Sequence, residues 1–129
     1  MPTPEKITEG IRITAKTKFV PEQSDPARGR YLYSYEITIE NLGAQPAQLL
    51  TRHWIITDAM GRVEEVRGEG VVGETPYLEP GESFSYTSFC PLPSEYGTME
   101  GTYGMVRPDG AKFDAEIPVF PLGEPYSVN

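Results

Sequence analysis

The stretch Tyr31-Leu32-Tyr33-Ser34-Tyr35-Glu36-Ile37-Thr38-Ile39-Glu40 alternates with a period of two. Tyr31, Tyr33, Tyr35, Ile37 and Ile39 share one parity, and Ser34, Glu36, Thr38 and Glu40 share the other. Successive side chains of a strand point to opposite faces, so this pattern predicts a strand with one buried and one wet face. Working outward, six further segments carry the same short period: about 9–20, 47–58, 62–68, 83–90, 98–107 and 111–120. No segment of a dozen residues holds a helical period, so the chain reads as all-β.

The connections support this. "DAMGR", "LEPGE" and "RPDG" are turn sequences, with Pro and Gly where tight turns need a fixed or a positive φ. The segment "LLTRHWIITD" has apolar residues on both parities, which predicts a central strand covered on both faces. Pro118 cannot donate to a ladder, so the last strand belongs at an edge or ends near it. About seven short strands, with Trp54 on the third, predict an antiparallel β-sandwich of the fibronectin type III or immunoglobulin-like kind. A barrel is the alternative. Cys90 is the only cysteine, so the inter-sheet disulfide of antibody domains is impossible. One domain is expected over 1–129, with an ordered core of about 8–121 and loose tails at 1–6 and 124–129.

Nineteen acidic and eleven basic residues leave a net charge of −8. That balance argues against nucleic acid as a partner, which needs a basic face, and repels free nucleotide anions at long range. "MPTPEKITEG" has no apolar stretch of a signal peptide, and no run approaches the ~18 apolar residues of a membrane span. A reducing, cytoplasmic setting suits a single cysteine.

The stretch Gly68-Glu69-Gly70-Val71-Val72-Gly73 fits the spacing G-x-G-x-x-G. In a dinucleotide site a helix follows the glycines and its free N–H groups face the phosphate. Here Pro76 and Pro80 leave no room for a helix, and Glu69 and Glu74 put negative charge beside any ligand. Two readings stand. The loop amides form an anion-binding nest without a helix, or the glycines only supply positive φ and a bulge.

The runs "RHWIITDAMGRVEEVRGEGVVGETPYLEPGESFSYTSFCPL" and "GTMEGTYGMV" resemble the ApaG family. The similarity runs from about residue 8 to residue 120. It includes Arg52, Trp54, Asp58, Gly61, the three loop glycines, Pro76, Leu78, Pro80-Gly81-Glu82, Phe84 and Tyr86. The family is looser around "FCPLPSEYG". The resemblance implies a fibronectin type III-like sandwich. Bacterial members are named for a gene neighbouring the diadenosine tetraphosphate hydrolase and carry a cobalt and magnesium resistance label. Related domains in certain F-box proteins and in a polymerase delta-interacting protein look like partner-binding modules.

No catalytic set emerges from the remaining residues. His53 is the only histidine, and neither it nor Cys90 sits in a nucleophile motif. Glu64, Glu65, Glu69, Glu74, Glu79 and Glu82 could attract a hard cation such as Mg²⁺ or Co²⁺ weakly, but Arg62 and Arg67 lie among them. No dedicated metal site and no cofactor are expected. The tyrosine stripe reads as core at Tyr35, while Tyr31 and Tyr33 suit either core or a recognition surface.

The function expected is a non-enzymatic binding module that presents the 67–77 loop to a protein partner. The alternative is a protein that binds or hydrolyses pyrophosphate or a dinucleoside polyphosphate through Gly68, Gly70, Gly73, Arg67 and Arg52. Pairing of two copies through an edge strand is a further expectation.

Overall fold

The computed structural model describes residues 3–123. Nine strands are formed: β1 Glu5–Thr8, β2 Ile11–Phe19, β3 Tyr31–Asn41, β4 Ala47–Asp58, β5 Val63–Glu69, β6 Tyr77–Leu78, β7 Ser83–Leu92, β8 Gly97–Val106 and β9 Lys112–Leu122. Two single turns of 3-10 helix, Pro21–Gln23 and Pro26–Arg28, link β2 to β3. One sheet has the order β1-β2-β3-β7 and the other β5-β4-β8-β9, with the short β6 on β4; every pairing is antiparallel. The two sheets pack face to face as a sandwich of the expected fibronectin type III-like class. No helix among the described residues is long and apolar enough to cross a membrane.

The strand β3 carries the pattern that decides the fold. Tyr33, Tyr35, Ile37 and Ile39 are buried, and Ser34, Glu36, Thr38 and Glu40 are not. Tyr33 is thus a core residue, its hydroxyl donating to the Glu95 carbonyl, while Tyr31 packs against the core only in part. Trp54 meets Tyr35 across the sandwich, and Tyr103 and Phe120 within its own sheet, all edge-on, at centroid distances of 5.4, 6.2 and 5.9 Å. Edge-on contacts of this kind add to the burial of the rings themselves.

Three expectations are corrected. The stretch 9–20 is not one strand: Glu9 and Gly10, at φ 48° and 83°, turn the chain so that β1 pairs with β2. A two-residue hairpin with positive φ at both positions is the mirror-image turn that strand twist favours, but Glu is not its usual residue, and the turn is hidden in the sequence. Glu5 and Lys6 therefore lie in a strand, not in a loose tail, and Lys6 Nζ reaches Glu116 Oε1 at 3.0 Å. The tail at 124–129 lies outside the described residues.

The third correction concerns β4. It is central in its sheet but is not covered on both faces; Thr51 is exposed and His53 only half-buried. The apolar residues on both parities have another cause. The register of β4 against β8 shifts between Leu49 and Thr51. A bulge inserts one residue and reverses the parity beyond it. Ala47 and Leu49 face inward before the bulge, and Trp54 faces inward after it. A similar shift in β9 contains Pro118, on the edge strand where a residue without an N–H is tolerated.

One pole of the sandwich is tied by Asn41, which is fully buried. Its Nδ2 donates to the carbonyls of Gln45 and Leu78, and its Oδ1 accepts from the Gly43 amide, at 2.8, 3.0 and 3.0 Å. Truncating it strands these buried groups. Asn41→Ala is expected to lower stability by about 2–4 kcal/mol, read as a fall in the urea midpoint at unchanged slope. A change below about 0.5 kcal/mol, the range of ordinary surface substitutions, would contradict the role given to this side chain.

Candidate functional site

The parity switch in β4 turns Arg52 toward the space between the sheets. Its partner across the strand pair is Gly68. The guanidinium lies flat on that glycine: a Cβ there would stand 2.6 Å from Nη2 and 2.7 Å from Cζ. Arg52 Nη1 donates to the carbonyls of Glu69 and Gly70, at 2.8 and 2.9 Å. Gly68 is thus required by a close approach, not by its φ.

The glycine loop closes on itself. The Gly70 amide donates to the Leu50 carbonyl, inside the bulge of β4, at 2.8 Å. Val71 and Glu74 exchange two backbone hydrogen bonds, each 2.8 Å, around a two-residue turn. Val72 and Gly73 at its tip have φ of 44° and 80°. Gly70 has φ 63°, and a Cβ on it would run into the Glu74 carbonyl oxygen. Three amides of the loop, those of Gly70, Val71 and Glu74, are therefore given to protein carbonyls. Arg52 meets this loop, but its hydrogen bonds go to the loop's carbonyls. Arg67 lies on the outer face, 72% exposed at its side chain, with Nη2 3.5 Å from Glu65 Oε1, and it lines a hollow of about 510 Å³ together with Arg52, Gly68 and Glu69.

His53 and Cys90 are separated by the second sheet. His53 is on the outer face of β4, where Nε2 donates to Glu65 Oε1 at 2.8 Å. That hydrogen bond holds the Glu65 carboxylate below its usual range, against desolvation and with smaller help from His53 and Arg67. A carboxylate depressed on folding contributes stability above its unfolded pKa, and loses it as the pH falls through the folded value. Cys90 points inward and is buried, which pushes its thiol up to about 11. A thiol so raised is not ionised at neutral pH and is a poor nucleophile. Among the described residues no three His, Cys, Asp or Glu side chains gather to hold a metal.

The feature that sequence reasoning missed is the open side of the sandwich. On one side β1 and β2 pack against β9, with Thr17 Oγ1 donating to the Pro121 carbonyl and Thr8 Oγ1 accepting from the Glu116 amide. On the other side the edges β5 and β7 face each other across a gap. Two adjoining hollows of about 270 and 290 Å³ open there and share Ile56, Glu64 and Pro91. The first reaches down to Trp54 and Met99, with Arg52 in its wall. Phe89 lines this hollow and Val63 the other, and they stand 55% and 60% exposed. One signal could have found it: the strand 83–92 has no charged residue in a chain that is 23% charged.

Residues 21–107 match the ApaG domain. The chain belongs to the ApaG family. It is 57% identical over 123 residues to Protein ApaG of Anaeromyxobacter dehalogenans (strain 2CP-C), covering 95% of this chain and 97% of that one. It is 55% identical over 119 residues to Protein ApaG of Dechloromonas aromatica, covering 92% and 94%. It also resembles the crystal structure of a Bordetella pertussis protein described as ApaA, with a TM-score of 0.86 and 48% identity over 97% of this chain and 98% of the other. Family membership agrees with the sequence resemblance and with the sandwich; these matches name no reaction, ligand or partner.

The loop geometry makes opposite predictions for two neighbours. Gly70→Ala places a side chain in the left-handed region and against Glu74, and is expected to cost at least about 1 kcal/mol. Val72, 56% exposed and β-branched, occupies a φ that costs an L-residue roughly 1–2 kcal/mol, so Val72→Asn is expected to stabilise by about 1 kcal/mol. Urea unfolding of the two variants measures both signs, and a neutral Gly70→Ala would contradict the structural role of that glycine.

Proposed function

We propose that this ApaG domain is a non-enzymatic module that binds a protein partner, acting in the cytoplasm. One observation carries the reading. Arg52 and three amides of the glycine loop are engaged in holding the fold, while apolar side chains stand exposed around an open gap. Arg52 Nη1 and the amides of Gly70, Val71 and Glu74 bond to protein carbonyls. Phe89 and Val63 are exposed beside the hollows that reach toward Trp54. Exposed apolar side chains beside an open sheet edge are what partner sites are built from. The buried, protonated thiol supports the same reading.

The test sets this reading against phosphate chemistry. Labelled protein is titrated with pyrophosphate and then diadenosine tetraphosphate, each with and without Mg²⁺ or Co²⁺, and the same mixtures are assayed for turnover. The expected result is no saturable amide shift over residues 68–74 at millimolar ligand, and no product. Saturable turnover of either compound would overturn the binding-module reading.

A further inference from the structure

Resting on that reading, we infer that the gap between β5 and β7 receives an extended, basic segment of a partner protein, which adds to β7 as a fifth strand of its sheet. Three independent features of the molecule converge on this side.

The first is the edge itself. Among the described residues β7 has β3 as its only strand partner, and the backbone along its other side pairs with no described strand. Natural proteins guard such edges with charge, proline or a covering element. The other edge of the gap is guarded in this way: β5 carries Glu64, Glu65, Arg67 and Glu69. Over ten residues β7 carries no charge, and its one proline, Pro91, is next to its end. An unguarded strand of this length is a template for strand addition.

The second is the space beside the edge. An added strand points alternate side chains to the inner face of its sheet. Those side chains would enter the hollows between the sheets, opposite Glu64 and Val66 on β5 and beside Phe89. Small apolar side chains suit the floor of Ile56, Trp54 and Met99.

The third is charge. Between residues 58 and 100, which build β5, β6, β7 and their loops, there are nine acidic residues and two arginines. That balance of −7 is nearly all of the chain's −8. All four lysines, Lys6, Lys16, Lys18 and Lys112, lie on β1, β2 and β9, toward the closed side. Glu64 lines both hollows and has no ion-pair partner among the described residues. A basic segment is attracted to this side, and an acidic one is repelled. The same charge disfavours a second copy as the occupant, because β7-to-β7 pairing would bring two such faces together.

Three ten-residue peptides test the inference against ¹⁵N-labelled full-length protein: alternating Lys and Val, alternating Glu and Val, and alternating Lys and Pro. The Lys/Val peptide is expected to give saturable shifts centred on Ser83–Leu92, with affinity falling as salt is raised. The Glu/Val peptide, with the wrong charge, and the Lys/Pro peptide, which has no N–H at its prolines, are expected to bind at least tenfold more weakly. Thr87 is exposed on the outer face of β7 opposite Glu36, so Thr87→Lys leaves the core untouched. This variant is expected to weaken the Lys/Val peptide at least tenfold while keeping the unbound spectrum otherwise intact. Equal binding of the Lys/Pro or Glu/Val peptide, shifts centred on residues 71–77, or self-association through β7 in sedimentation would each overturn the inference. Those results would leave the binding-module reading standing, whereas enzymatic turnover would remove that reading itself.

Discussion

A single extra residue in β4 governs the layout of the molecule. The bulge at Leu50 reverses the parity of the strand between Leu49 and Thr51. Without it, Thr51 and His53 would face the core, and Arg52 and Trp54 would face water. With it, Trp54 meets Tyr35 of the other sheet and Phe120 of its own. The same reversal lays Arg52 over Gly68 and directs its Nη1 to the carbonyls of Glu69 and Gly70. The Leu50 carbonyl in turn accepts the Gly70 amide. Core, arginine and glycine loop are therefore one construction, in which Gly68 is held close under Arg52 and Gly70 against Glu74.

The fold was legible wherever a pattern in two letters, apolar and polar, is enough. The alternation of β3 gave a strand with its faces assigned correctly, and the turn sequences separated the larger strands. Trp54 was legible as core, and Pro118 as a mark of an edge. Patterns that change partway were not legible. The mixed parity of β4 resembles a doubly covered strand because a bulge and a second buried face leave the same trace. The Glu9-Gly10 turn hides because glutamate seldom takes positive φ. The short β6, with two residues paired to Ala47 and Gln48, exists through its tertiary contact alone.

The site was legible only in part. The sequence singled out Gly68, Gly70, Gly73, Arg52 and Arg67 together, and the fold brings Arg52 onto the glycine loop and places Arg67 on the outer face, beside the same hollow as Arg52 and Gly68. It could not show that the loop's hydrogen-bonding groups are turned on one another, since that depends on which carbonyl each amide meets. The gap between β5 and β7 is a property of how two sheets are closed. Lys6, Thr8 and Thr17 help to seal one side, while on the other the Ala59 amide donates to Ser94 Oγ at one end of the gap. Its trace in sequence is an absence of charge along residues 83–92, beside a concentration of acid on either side.

These features divide the sandwich into a sealed side that carries the lysines and an open side that carries the acids and a bare edge. The most direct measurement is hydrogen–deuterium exchange on the full-length protein bound to a protein partner isolated from the cells that make it. The account predicts added protection along Ser83–Leu92 and Val63–Glu69, with β1 and β9 unchanged. Protection confined to β1, β9 or the 71–77 turn, with β7 exchanging as in the free protein, would contradict it.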